Sequence, residues 1–199
     1  MIRDFWQAVK GRRTYYSLAK ESPISEERLR SIIENAVLHT PTAFNSQSGR
    51  VLVVTGEQQN ALWDIVEAAL RKIVPADAFG PTEEKIAAFR KAYGSVLFFE
   101  DQTVVKGLQE KFPLYQENFP IWSQHASGML QFVVWTALEE AGFGASLQHY
   151  GSLIEEEVRQ RWSLPESWSL IAQMPFGKPS AQPGEKEFQP LDGRVRFSS

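Results

Sequence analysis

The chain has 199 residues, enough to bury a core without disulfides or metals and about the size of one domain. A formal net charge of −3 gives nucleic acid and anionic membranes no electrostatic reason to bind it. Cysteine is absent, which excludes disulfides, thiolate catalysis and thiolate metal sites.

Residues 1–6 carry neither the apolar run nor the cleavage pattern of a signal peptide. The longest mostly apolar stretch, within residues 127–138, is too short to span a bilayer. The chain therefore reads as soluble and cytoplasmic. Residues 4–10 form a short helix with Phe5, Trp6 and Val9 on one side, stopped by Gly11. Arg12-Arg13-Thr14-Tyr15-Tyr16 follows at once. Two adjacent guanidiniums and a hydroxyl at a helix end suit a phosphate, through paired donors and fixed positive charge. For the pair alone, two solvated surface arginines remain the alternative.

Ser25 reads as a helix N-cap, with Glu26 and Glu27 where the helix dipole favours acids. Leu29, Ile32, Ile33, Ala36 and Val37 then make one apolar face, and the helix stops before Pro41. The next stretch, Pro41-Thr42-Ala43-Phe44-Asn45-Ser46-Gln47-Ser48-Gly49-Arg50, is polar and carries two carboxamides. Each amide both donates and accepts, so the loop can read a flat ligand rich in heteroatoms, or simply be a solvated connector. Residues 51–55 read as an interior strand, 57–73 as a helix, and 75–81 as a turn-rich break. A helix over 82–93 leads through Gly94 into a buried strand at 96–99, closed by Glu100-Asp101.

Residues 102–120 read as a helix and then an aromatic, proline-bounded segment with Phe112, Tyr115 and Phe119, which either covers a pocket or packs as a satellite cluster. Residues 120–141 are predicted to be the longest helix, apolar around nearly its whole circumference and so buried on all sides, at the centre of the fold and at a subunit interface. Gly142-Phe143-Gly144 follows a helix rather than a strand, so it is no dinucleotide fingerprint. A helix over 154–162 and a strand over 169–174 complete the elements. Gly177-Lys178-Pro179 begins an extended polar tail that holds Lys186. Nothing marks a second domain; residues 1–199 read as one.

His39, His125 and His149 are too scattered for a metal pair, and no GxSxG elbow or Walker A sequence occurs. Without a nucleophile, base or metal, the hard chemistry falls to a bound cofactor. An anion grip of Arg12, Arg13 and Lys186, joined to an amide-lined loop, suits a planar cofactor that bears a phosphate.

Arg12-Arg13-Thr14-Tyr15-Tyr16 resembles the Arg-Arg-Ser-x-Arg opening of the nitroreductase family of FMN oxidoreductases. The stretch from Pro41 to Gln47 resembles that family's Pro-Ser-Ser-x-Asn-x-Gln loop, and Gly177-Lys178-Pro179 with Lys186 its Gly-Tyr-Pro tail. Residues 92–101 and 144–150 look like a compact subgroup named for a link to fatty-acid-responsive gene repression. The resemblance runs in order over essentially the whole chain.

It implies an α+β fold, with a central, mainly antiparallel sheet flanked by helices, and a homodimer with FMN at the subunit interface. Arg12, Arg13 and Thr14 should hold the phosphate and ribityl end beside Lys186, with Tyr16 near the pyrimidine. Pro41, Thr42, Ala43 and Asn45 should approach the same flavin from the other subunit, with Gln47 behind. Gln148, His149 and Tyr150 should run past the flavin, with backbone groups near N5, so no side chain is expected to be catalytic in its own right. Ser48-Gly49-Arg50, Phe188 and Tyr16 depart from the pattern. The implied function is hydride transfer from NADH or NADPH through flavin N5 to a nitroaromatic, quinone or similar small acceptor. Two rival readings are a flavin-binding regulatory protein of stress or lipid signalling with incidental reductase activity, and a helical interaction protein without cofactor. Turnover with NAD(P)H separates the first rival, and a colourless preparation would favour the second.

Overall fold

A computed structural model describes residues 4–198, so the first three positions of the N-terminal reading lie outside the described residues. Its organising strand is β3 (Gly94–Asp101), buried along nearly its whole length. Successive side chains of a strand point to opposite faces. Leu97 and Phe99 accordingly enter one apolar cluster, and Val96 and Phe98 the other. Each face must then be covered, and helices cover both.

β3 lies between β2 (Gly49–Thr55) and β5 (Trp168–Pro179), antiparallel to each. The short β1 (Leu18–Ala19) and β4 (Gly144–Ala145) both pair with β5, and the sheet order is β1-β5-β3-β2. The first face is packed by α3 (Gly56–Arg71), α4 (Gly80–Arg90) and α7 (Gly151–Trp162), which supply Leu62, Trp63, Val66, Ile86, Phe89, Ile154 and Val158. Trp63 is fully enclosed and donates its indole N–H to Ser95 Oγ at 3.2 Å, so its one polar atom is satisfied. The second face is packed by α2 (Glu26–His39) and α6 (Asn118–Glu140), through Leu29, Ile33, Ala36, Leu130, Val134 and Leu138. The fold is therefore α+β, a mainly antiparallel sheet between helices, as the resemblance implies.

Ser25 caps α2 by accepting from Arg28 N, and Asp4 with Gln7 forms a capping box on α1 (Phe5–Gly11). Among the described residues, no helix is long and apolar enough to cross a membrane.

Three expectations need correction. β2 is an edge strand, half-buried rather than interior, because among the described residues nothing pairs with its outer side. β5 runs through Pro179, so Gly177 and Lys178 belong to the sheet and the tail leaves it after them. The longest helix is not buried on all sides: Ile121, Met129, Phe132 and Val133 form an exposed strip opposite the sheet. On α1, Ala8 is the buried residue, while Phe5 and Trp6 stand exposed against each other.

Candidate functional site

Three segments remote in sequence meet at one end of the sheet. Thr14 bridges Ala145 in parallel, and Tyr15 N donates to Ala145 O at 2.9 Å, which fixes the arginine motif alongside β4. Gly144 permits this approach: a Cβ there would lie 2.8 Å from Tyr15 Cγ and 3.0 Å from Pro179 Cγ. The tail returns across the same place. Ser180 N donates to Ser17 O at 3.0 Å, and the Arg13 guanidinium donates to Gly184 O.

The result is a cleft of about 710 Å³, lined on one side by Arg12, Arg13, Thr14 and Tyr16 and on the other by residues 181–187, among them Lys186. Such a volume suits a cofactor. The Arg12 guanidinium lies over the Trp135 indole of α6, its carbon 4.4 Å from the ring centroid. Burial lowers the Arg12 pKa, Glu139 opposes that and Arg13 adds to it, yet an arginine so placed remains charged. Two guanidiniums and an ammonium thus converge on one polar cleft, as a phosphate requires.

Of Gln148, His149 and Tyr150, none lines this cleft itself; Tyr150 is linked to it through Tyr16, which does. Gln148 is buried and exchanges two backbone hydrogen bonds with Gln173 of β5, at 2.7 and 2.9 Å, and Tyr150 N donates to Gln173 Oε1 at 2.8 Å. His149 is exposed. Burial raises the Tyr150 phenol above its ordinary value, and the neighbouring Tyr16 phenol adds to the effect. Tyr150 also sets its ring edge-on to Trp63.

The carboxamide loop is elsewhere. Thr42 and Gln47 line a separate pocket of about 170 Å³ with Arg50, Glu100 and Leu130, and this pocket shares no residue with the arginine cleft. One chain therefore does not bring Pro41, Thr42, Ala43, Asn45 and Gln47 to Arg12. The loop is nonetheless built to a shape. Phe44, Asn45 and Gln47 all adopt positive φ, at 56°, 49° and 50°. Such backbone costs of order 1–3 kcal/mol per non-glycine residue and persists only when surroundings impose it. Thr42 Oγ1 accepts from Gln47 N at 3.1 Å, and Arg50 donates to Gln47 O at 2.7 Å. The Phe44 ring packs against Phe112, Phe119, Tyr115 and Trp122, so the aromatic segment after α5 (Gln102–Lys111) is a cluster built around the loop.

A sequence model described as the nitroreductase family matches residues 9–178. The chain belongs to the nitroreductase family. Its members are oxidoreductases. Nitroreductase FRM2 of Saccharomyces cerevisiae is 35% identical over 187 residues, covering 93% of each chain. The solved structure of nitroreductase CinD from Lactococcus lactis in complex with chloramphenicol is 45% identical, with a TM-score of 0.91 over 98% of this chain and 100% of that one. The FMN-dependent nitroreductase NfnB from Mycobacterium smegmatis, in complex with NADPH, shares the fold at 18% identity, with a TM-score of 0.72 over 98% of this chain and 100% of that one.

Within this nitroreductase the structure adds residues that the sequence reading missed. Gln173 is wholly buried and orders the 148–150 backbone; its one signal was a polar side chain inside an apolar strand. Trp135 supports Arg12 from an element more than a hundred residues away in sequence, which no local motif announces. Glu100, fully buried, accepts from Ser48 Oγ at 2.6 Å and had been read only as the close of a strand.

Proposed function

We propose that this nitroreductase is an FMN-dependent oxidoreductase that takes reducing equivalents from NADH or NADPH and passes them to nitroaromatics, quinones or related small acceptors. It works as a homodimer with the flavin between subunits, and falls in the compact subgroup whose motifs residues 92–101 and 144–150 resemble. The carrying observation is that Arg12, Arg13 and Lys186 line one cleft together with Thr14 and Tyr16. CinD has also been solved with 4-nitrophenol, a nitroaromatic, which supports the acceptor class for a chain 45% identical to it.

The residues present fit FMN. Arg12, Arg13 and Lys186 offer cations for a single phosphate, and Thr14 offers a hydroxyl for the ribityl end. FMN held by these residues would supply the redox chemistry of hydride uptake and electron delivery. The chain contributes binding, orientation and electrostatics. The Trp135 ring lies under the Arg12 guanidinium, whose donors would take the phosphate. Gln173 fixes the backbone of 148–150, which would run past the flavin. Tyr150, with its pKa raised by burial, keeps its proton on Oη at neutral pH and remains a hydrogen-bond donor. Tyr16 borders the same cleft where many relatives of the resemblance place a base. Because the loop of one chain lies away from its own cleft, Pro41, Thr42, Ala43, Asn45 and Gln47 act on the flavin held by the second subunit.

The absorption spectrum of the purified protein, with and without NADH and NADPH, tests the reading. A yellow protein that bleaches with either nucleotide and releases FMN on denaturation is expected. A protein that stays colourless after incubation with FMN, or that releases FAD, overturns it.

A further inference from the structure

The functional reading leaves one buried ionisable group unused. Glu100 ends β3 beneath the carboxamide loop and is 1% exposed. Its Oε2 accepts from Ser48 Oγ at 2.6 Å, while its Oε1 has no hydrogen-bond partner. Oε1 lies toward Gly49 and the Leu130 side chain: a Cβ on Gly49 would be 3.9 Å from it and 3.3 Å from Leu130 Cδ2. Ser48 is the last residue of the loop, and its carbonyl accepts from Asp101 N at 3.0 Å. The hydroxyl and the carbonyl of one residue are thus both tied to the end of β3.

The charges around this carboxyl are few. β2 brings Arg50, whose guanidinium is committed to Asp101 Oδ2 at 3.0 Å and to the carbonyls of Gln47 and Gly49. β3 brings Asp101, whose other oxygen caps α5 at Thr103 N. α2 and α6 present Val37, Leu38, Ala126 and Leu130 to the same pocket, all apolar, and Thr40 follows α2 there. β5 pairs Ser169 with Glu100, and the Ser169 hydroxyl is turned to Glu155. His39 lines a different groove, between α2 and α6. Among the described residues, no basic side chain hydrogen-bonds Glu100.

A carboxylate in this setting carries charge on an oxygen with no donor, whereas a neutral carboxyl leaves only an uncharged atom unsatisfied, a much smaller penalty. Ionisation therefore favours any movement that brings water to Oε1. Ser48 and Gly49 lie beside that carboxyl at the base of the loop, Gly49 paired with Glu100 in the β2–β3 ladder and Ser48 held by its hydroxyl, so opening there means loosening the Ser48 tie. The loop above them holds three left-handed residues and depends on such anchors to keep its shape.

We propose that Glu100 is a positioning residue for the carboxamide loop: through Ser48 its protonated carboxyl seats residues 42–48, and deprotonation releases them. Burial moves the carboxyl above the ordinary glutamate range; the Ser48 hydrogen bond and Arg50 oppose that, and Asp101 adds to it. The proposal rests on the reading that this loop meets the flavin, and it ties cofactor retention to pH.

Hydrogen exchange of the amides of residues 43–49 in the full-length, cofactor-free protein tests it, expressed as protection factors. In the wild type, protection should be greatest below the ordinary glutamate range and fall as pH rises through the raised value of the seated carboxyl, by about tenfold for each pKa unit that separates seated from released loop. Glu100→Gln should hold protection near the wild-type acid level across the same rise in pH. Ser48→Ala, which cuts the link and keeps the carboxyl, should show low protection without pH dependence. Wild-type protection that is constant with pH overturns the proposal. So does a parallel fall in Glu100→Gln, or a Glu100→Gln loop unprotected even in acid, which would make the side chain mere packing. FMN titration over the same range should show wild-type affinity falling with pH and Glu100→Gln affinity constant. If the wild type binds no FMN at any pH, the functional reading fails, and the exchange experiment still decides the role of Glu100.

Discussion

Arg12 and Arg50 both stand beside motifs shared with the family, and the structure gives them opposite duties. Arg12 lies over Trp135 and lines the cleft. Arg50 spends its donors on Asp101 and on the carbonyls of Gln47 and Gly49. Truncating a charged partner of a phosphate costs about 1.5–3 kcal/mol, roughly one to two decades in affinity. Arg12→Ala should therefore weaken FMN binding by that much, and Arg50→Ala by less, acting through the loop it braces. Lys186 also lines the cleft, and Phe188, where the family pattern has a second tail cation, cannot compensate for it. Lys186→Ala should behave like Arg12→Ala. Quenching of FMN fluorescence by the full-length apoprotein, at fixed salt, measures all three. Normal binding by Arg12→Ala with Arg50→Ala the worst would mean that the cleft is not the phosphate site.

At the scale of elements, the site depends on close approach between segments, and its glycines show where. Gly144→Ala places a methyl against Tyr15 and Pro179, and overpacking of that kind costs about 1–3 kcal/mol. It should lower the denaturation midpoint and FMN affinity together, because Tyr15 lies between Thr14 and Tyr16. Gly107→Ala on α5 meets open space and should raise stability by up to about 1 kcal/mol, leaving affinity unchanged. A second element test concerns Glu67 on α3, which bonds Arg90 and Arg71 across to α4 and within its own helix. Arg90 first, then Arg71, lowers its pKa below the unfolded value. Its stabilisation is therefore present above the ordinary glutamate range and lost as pH falls through the depressed folded value. Glu67→Gln should lower Tm at neutral pH and leave it nearly unchanged in strong acid; an equal loss at both would place the effect in packing.

Much of this was legible in the sequence. The cap and apolar face of α2, the apolar face of α3 and the buried β3 all follow from local patterns. What escaped was non-local. The two-residue strands β1 and β4 have no period to read. The edge position of β2 depends on which neighbours the sheet supplies, not on its own composition. Gln173 and Trp135 act through partners distant in sequence, so their types alone gave no warning.

On the scale of the whole molecule, a single chain is incomplete in two related ways. α6 leaves Ile121, Met129, Phe132 and Val133 exposed, and α2 adds Val37 and Leu38, a surface more apolar than an isolated chain normally keeps in water. The carboxamide loop and the arginine cleft of one chain also occupy separate pockets. The proposed homodimer, made twofold through α6, would resolve both and bury roughly 2,000 Å² or more, as obligate interfaces do. The mixed dimer of two damaged chains tests this directly. One chain carries Arg12→Ala and Lys186→Ala with its loop intact; the other carries Asn45→Ala with its cleft intact. If each site takes its cleft from one chain and its loop from the other, one of the two sites in the mixed dimer is wholly undamaged. That dimer should then bind about half the FMN of the wild type, at concentrations where either damaged homodimer is empty. If each chain builds its own site, every site in the mixture is damaged and no binding returns. Tagging the two chains differently and purifying through both tags isolates the mixed species. Its flavin absorbance per mole of protein, with sedimentation to confirm the dimer, reads the answer; a monomer carrying a full complement of FMN would refute the arrangement outright.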